Sequence, residues 1–227
     1  AAWTGVPAAA LPPLTFRTSV RTPTDGPRLL DSAPANGEQG VPLNSAVLFR
    51  FDRPLTPRVP GASATFTCGE QTVAVELTAV ADAGMAVRPT LLLPPGRTCT
   101  VRVSGLTDIY GGLLAEDATV HFDTGSLPDG NALAVSIPNT NVNRVVLPAG
   151  SHPRLRFNRA LDLPALALGM VGLAQQSYGS ANPVRFELSG DRRSVTLTPD
   201  EPLAPGSYDM VISIPYHRIH QKPLLIR

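Results

Sequence analysis

The residues of this chain that could do chemistry are four histidines, two cysteines and a scatter of carboxylates. Nucleophilic catalysis needs a Ser or Cys beside a base, often on a Gly-x-Ser-x-Gly elbow. No such elbow occurs, and His121, His152, His217 and His220 stand in no triad context, so no catalytic residue is expected. His217 and His220 could share one face of a helix, but they would split across the two faces of a strand. Pro215 and Pro223 flank them, so a solvated loop is expected there, and no metal site. Asp108, with Asp117 nearby, raises calcium. A calcium loop needs several closely spaced oxygen ligands, and this stretch offers Gly and Leu instead. Asp108 and Gly111 are expected to build a tight structural turn, the carboxylate bonding to its own backbone. No cofactor is expected.

Cys68 and Cys99 both lie in strand-like settings, Thr65-Phe66-Thr67-Cys68 and Thr98-Cys99-Thr100-Val101. Paired, they would close a loop of about 30 residues and add about 3 kcal/mol through chain entropy. That pairing suits an oxidising compartment. Unpaired, they would pack as two small buried hydrophobes. Asp52 and Asn158, each just after a strand ending in Phe, are expected to cap loops. Aromatic residues are 5% of the chain, and Trp3, Tyr178, Tyr208 and Tyr216 are dispersed, which is poor for stacking sugars. Net charge is +1 with no basic stripe, so a nucleic-acid partner is not expected. No apolar run reaches the ~18 residues of a transmembrane helix.

The elements that must hold these residues are short. Twenty-four prolines among 227 residues lie scattered between apolar runs, which disfavours long helices and suits strands joined by turns. Strands are expected at Val47–Phe51, Val73–Leu77, Met85–Pro89, Thr100–Val103 and Thr119–Phe122, with turns at 94–96 and 108–112. The pattern then recurs. Leu155-Arg156-Phe157-Asn158-Arg159 repeats Phe49-Arg50-Phe51-Asp52-Arg53, and Leu203-Ala204-Pro205-Gly206 repeats Leu93-Pro94-Pro95-Gly96. The opening Leu133–Pro138 is set against Leu29–Pro34, and Tyr208 falls at or beside the place of Cys99. Only residues 161–176 favour a helix, and Pro164, Gly169 and Gly172 limit it to one or two turns.

The ordered phrases Ser32-x-Pro34-x-x-Gly37, Phe51-Asp52-Arg53-Pro54-Leu55, Pro94-Pro95-Gly96, Gly105-Leu106-x-Asp108-x-x-Gly111 and Phe122-x-Thr124 together resemble the bacterial Ig-like domain of S-layer and cell-surface proteins. The resemblance covers residues 27–125 well and 130–227 more loosely. It implies an all-β fold of tandem immunoglobulin-like antiparallel sandwiches, about seven strands each, on secreted or envelope proteins, with no catalytic residues. A periplasmic copper-binding sandwich family opens with a similar Ser-x-Pro-x-x-Gly phrase, but its N-terminal ligands are not matched here.

Three segments are therefore expected: residues 1–20, extended and resembling the last strand of a preceding repeat; 27–125, the first Ig-like domain; and 131–227, the second. The connector 125–130 is short and carries a proline, which predicts a restricted, end-to-end arrangement. The second domain is expected to lack its last strand, the counterpart of Thr119–Thr124, whereas Phe16-Arg17-Thr18 stands 106 residues before Phe122-Asp123-Thr124 (16 against 122). Leu14, Phe16 and Thr18 are thus candidates for an assembly strand that completes a neighbouring copy. The expected role is a non-catalytic structural, assembly or adhesion module outside the cytoplasm. Its partners would be other domains of the same or a longer protein, or neighbouring copies. The alternatives are an accessory region of a secreted carbohydrate-active enzyme, or a periplasmic copper-binding sandwich.

Overall fold

The computed structural model describes residues 25–56, 61–130, 134–136, 145–148, 150–175, 181–182, 184–213 and 222–226. The first unit has nine strands: β1 (Leu29–Ala33), β2 (Glu38–Val41), β3 (Val47–Phe51), β4 (Ser63–Cys68), β5 (Gln71–Thr72), β6 (Val75–Val80), β7 (Gly84–Pro89), β8 (Thr98–Ser104) and β9 (Ala118–Thr124). They form two sheets, ordered β1-β3-β7-β6 and β2-β9-β8-β4-β5. The strand count exceeds the expected seven because the opening strand switches sheets between Pro34 and Gly37, splitting into β1 and β2. In addition, β5 is a two-residue extension of the β4 hairpin.

Period-two alternation builds the core between the sheets. Along β8 the inward residues are Cys99, Val101 and Val103, with Arg102 outward. Along β9 they are Ala118, Val120 and Phe122. Val47, Phe49, Phe51, Met85 and Val87 close the core from the other sheet, and Phe66 meets Phe122 edge-on, ring centroids 6.0 Å apart.

The second unit repeats the plan with β10 (Val135–Ser136), β11 (Val145–Leu147), β12 (Arg154–Phe157), α1 (Leu163–Ala167), β13 (Met170–Gln175), β14 (Ala181–Asn182), β15 (Val184–Leu188), β16 (Ser194–Pro199), β17 (Gly206–Ser213) and β18 (Lys222–Ile226). Its sheets run β10-β12-β16-β15 and β11-β18-β17-β13-β14. Two expectations need correction. The closing strand is not missing: β18 pairs antiparallel with β17 and parallel with β11, as β9 does with β8 and β2. Only eight residues separate the end of β17 at Ser213 from the start of β18 at Lys222, against thirteen between β8 and β9, so the strand arrives where sequence alignment set a loop. The openings are also offset by two residues from the alignment, for Leu29 pairs with Phe51 and it is Val135 that pairs with Phe157. The helix is the short α1, within the expected one or two turns, and the rest of that stretch, Met170–Gln175, is a strand paired with β17 along its whole length.

Tyr208 faces Gln175 across β17 and β13, the register position that Cys99 and Cys68 hold in the first unit. Its ring is 2% exposed and its hydroxyl donates to Ala204 O at 2.9 Å. One unit is stapled at this corner by a disulfide, the other by a tyrosine bonded back to the preceding turn. Tyr208→Phe is expected to cost the second unit about 1 kcal/mol, read as a drop of a few degrees in its thermal midpoint. An unchanged midpoint would mean that the hydroxyl contributes nothing there.

Candidate functional site

Among the described residues no three His, Cys, Asp or Glu side chains come together as a metal site. His121 is exposed on β9, its Nδ1 2.9 Å from Thr100 Oγ1, and His152 is exposed in a loop. His217 and His220 lie outside the described residues, as do the assembly-strand candidates Leu14, Phe16 and Thr18. Cys68 and Cys99 are joined by a disulfide between directly opposed residues of β4 and β8. Both are sealed in the core.

The phrases around Phe51–Leu55 and Gly105–Gly111 converge at the end of the first unit where the described chain begins. Leu55 bridges Asp108, Thr56 N donates to Thr107 O, and Ile109 N donates to Pro54 O. Asp108 is 0% exposed. Its Oδ1 accepts the Tyr110 and Gly112 amides at 2.9 and 2.8 Å, an Asx turn closed by the αL residue Gly111. Its Oδ2 has no hydrogen-bond partner but lies 3.5 Å from Arg53 Nη1. The same Nη1 donates to Asp25 O at 2.6 Å, and Asp52 accepts the Arg28 amide at 2.9 Å. Burial acts to raise the Asp52 pKa, but the Arg28 amide and the Arg53 guanidinium outweigh it and hold the carboxyl below its ordinary value. Arg53 thus ties three things: the loop after β3, the hairpin of residues 107–113, and the chain leading into β1. Gly26 is required by this closeness, since a Cβ there would lie 1.7 Å from Leu113 O.

At the opposite end, the connector is stitched to both units. Leu43 N donates to Leu127 O, and Asn44 exchanges two hydrogen bonds with the Asp129 backbone at 2.9 and 2.8 Å. Asp129 then forms an ion pair with Arg159, the second unit's counterpart of Arg53. The motif arginine therefore anchors the incoming chain in both units.

The units do not meet simply end to end. On the outer face of the first sheet, Leu48 is 3% exposed and Ala86 0%. They share one apolar cluster with Leu155, Phe157, Leu161, Ala165, Leu166 and Leu168 of the second unit, flanked by Ala33 and Val80. Helix α1 lies against β1 and β3. Gly84 leaves room for Leu168, whose Cδ1 would be 2.6 Å from a Cβ at that position. The register-equivalent pair on the second unit is Arg154 and Thr196, and Arg154 is exposed. The joint is thus one-sided: an apolar sheet face on the first unit receives α1, and the matching face of the second unit is polar.

Residues 23–124 match the profile of the family described as bacterial Ig-like domain. No curated protein matches the sequence. Solved structures with similarity include PcoC, a methionine-rich copper resistance protein from Escherichia coli, at 21% identity over 43% of this chain and 97% of that one, TM-score 0.36. The N-terminal part of the bacterial S-layer protein SbsC is 13% identical over 88% of this chain and 44% of that one, TM-score 0.36. A chimeric titin Z1Z2 is 12% identical over 91% and 99%, TM-score 0.31.

Proposed function

We propose, from the premise that residues 23–124 are a bacterial Ig-like domain, that this chain is a non-catalytic structural module acting outside the cytoplasm as a stiff two-unit strut. The observation that carries this reading is the joint. Leu48 and Ala86 are buried under α1, and the connector is bonded at both ends. A flexible tether would leave that sheet face polar, as it is on the second unit. The Cys68–Cys99 disulfide supports an oxidising compartment. No helix among the described residues is long and apolar enough to cross a membrane. Strand complementation between copies loses its original motive, because β18 already occupies the closing position.

Small-angle scattering tests the strut. The native chain is expected to fit one fixed arrangement of two units. Leu48→Asp would place an unpaired charge against Leu166 and Leu168, at a cost of several kcal/mol. The joint should open, and the radius of gyration should rise while each sandwich stays folded. A native chain that already scatters as two independently tumbling units would overturn the proposal.

A further inference from the structure

Strand β15 ends its sheet, paired with β16 on one side and with no described strand on the other. The register fixes what that free side displays. Ser189 N donates to Ser194 O at 2.9 Å, which makes these two a hydrogen-bonded pair. In an antiparallel ladder such pairs alternate with pairs whose backbone polar groups point away from each other. Phe186 opposite Leu197 is of the second kind, and Leu197 N donates at 2.8 Å to Pro153 O on the far side of β16. Val184 likewise faces Pro199, which has no N–H to give. The N–H and C=O groups of Val184, Phe186 and Leu188 therefore point out along the free edge. Side chains alternate too. Arg185 and Glu187 stand exposed on the outer face, whereas Val184, Phe186 and Leu188 share the core side with Leu197 and Val195. Phe186 is nevertheless 42% exposed, for it lies at the rim with no further strand to cover it. The equivalent place on β6, the same edge of the first unit, holds the smaller, half-buried Leu77.

We infer that β15 pairs with β15 of a second copy, antiparallel about a two-fold axis through Phe186. The strand reads Val184-Arg185-Phe186-Glu187-Leu188, an order that complements itself when reversed. Phe186 meets Phe186 of the second copy, each giving and accepting one hydrogen bond, and the two rings cover each other. Val184 meets Leu188 with the same exchange. Arg185 meets Glu187 on the outer face, once on each side of the axis. Arg185 Nε also holds Asp200 Oδ1 at 2.9 Å, a contact that uses one of its five N–H donors. Opposite charges directly across a ladder stabilise it, and like charges destabilise it. Exposed edges are ordinarily guarded by charges, a proline or a bulge. Between Val184 and Leu188 there is no proline, the register with β16 runs without a shift, and the two charges satisfy each other in the reversed pairing. The edge of the first unit offers no such match, since about Leu77 it would set Glu76 against Thr78. A two-fold contact uses the same patch on both copies and closes at a dimer. It would join two four-stranded sheets into one.

Sedimentation velocity on the full chain, over a range of concentrations, is the test. The native chain is expected to pass from monomer to dimer below about 1 mM. Arg185→Glu sets like charges against each other on both sides of the axis, and so does Glu187→Arg. Each should weaken the dimer at least about tenfold, and both side chains are exposed, so the fold should be unaffected. The double variant Arg185→Glu/Glu187→Arg restores opposite charges and should dimerise again. An equimolar mixture of the two single variants should form a heterodimer where neither alone forms a dimer. A native chain that stays monomeric overturns the inference. So do single variants that dimerise as the native chain does, which would assign the contact to another surface. A double variant or a mixture that stays monomeric overturns it as well.

Discussion

Asp108→Ala should destabilise the first unit by about 3–5 kcal/mol, the cost of breaking a buried ion pair from one side. The side chain is completely buried, and its loss strands the Tyr110 and Gly112 amides and takes one carboxylate from the Arg53 guanidinium, which keeps Asp52 and the Asp25 carbonyl. Asp108→Asn should cost less, because an amide oxygen can still accept both N–H groups while its NH2 faces Arg53. The double variant Arg53→Met/Asp108→Leu should recover part of the loss, since removing both partners leaves no uncompensated charge. Urea unfolding measures all three. If Asp108→Ala lost under about 1 kcal/mol, Asp108 would not be the rivet of this end, and the tip hairpin would owe its shape to its own turn.

Removing the disulfide comes next in size. Its sequence separation is 31, for which chain entropy gives about 3–4 kcal/mol. Cys68→Ala/Cys99→Ala should show that loss, together with a larger urea m-value as the denatured chain expands. The partners are opposed residues of neighbouring strands and stay packed beside Phe66 and Phe122, so the native fold should survive. The second unit is a contrast within the same molecule, as it reaches stability at this corner through Tyr208. A variant matching its parent within about 1 kcal/mol would mean that residual structure in the denatured chain already holds these strands together.

Local chemistry told most where residue type limits conformation. The Asp108 and Gly111 turn, the strands around Phe51 and Phe157, and the corner position shared by Cys99 and Tyr208 could all be read from turn residues and alternation. The joint was missed, although a signal was present. Val47-Leu48-Phe49 is apolar at successive positions, and a strand apolar on both faces is buried on both. In β12 the matching residues alternate, Arg154-Leu155-Arg156-Phe157, and that contrast marks which unit receives the other. The closing strand was misplaced because repeat alignment assumes equal spacing between strands, and fewer residues separate β17 from β18 than β8 from β9. The role of Arg53 was invisible because its partners, Asp25 and Asp108, are distant in sequence and meet only through the fold.

The parallel pairing of β2 with β9, and of β11 with β18, decides how the molecule answers tension. Pulling on a unit from its two ends drags an early strand and the last strand in opposite directions along their length. Their ladder hydrogen bonds are then loaded together, in shear, rather than opened one at a time. Once such a clamp gives way in the first unit, the Cys68–Cys99 bond keeps the chain between those residues from paying out. The second unit has no such stop. Under load the two halves would lengthen by different amounts, the second paying out further than the first.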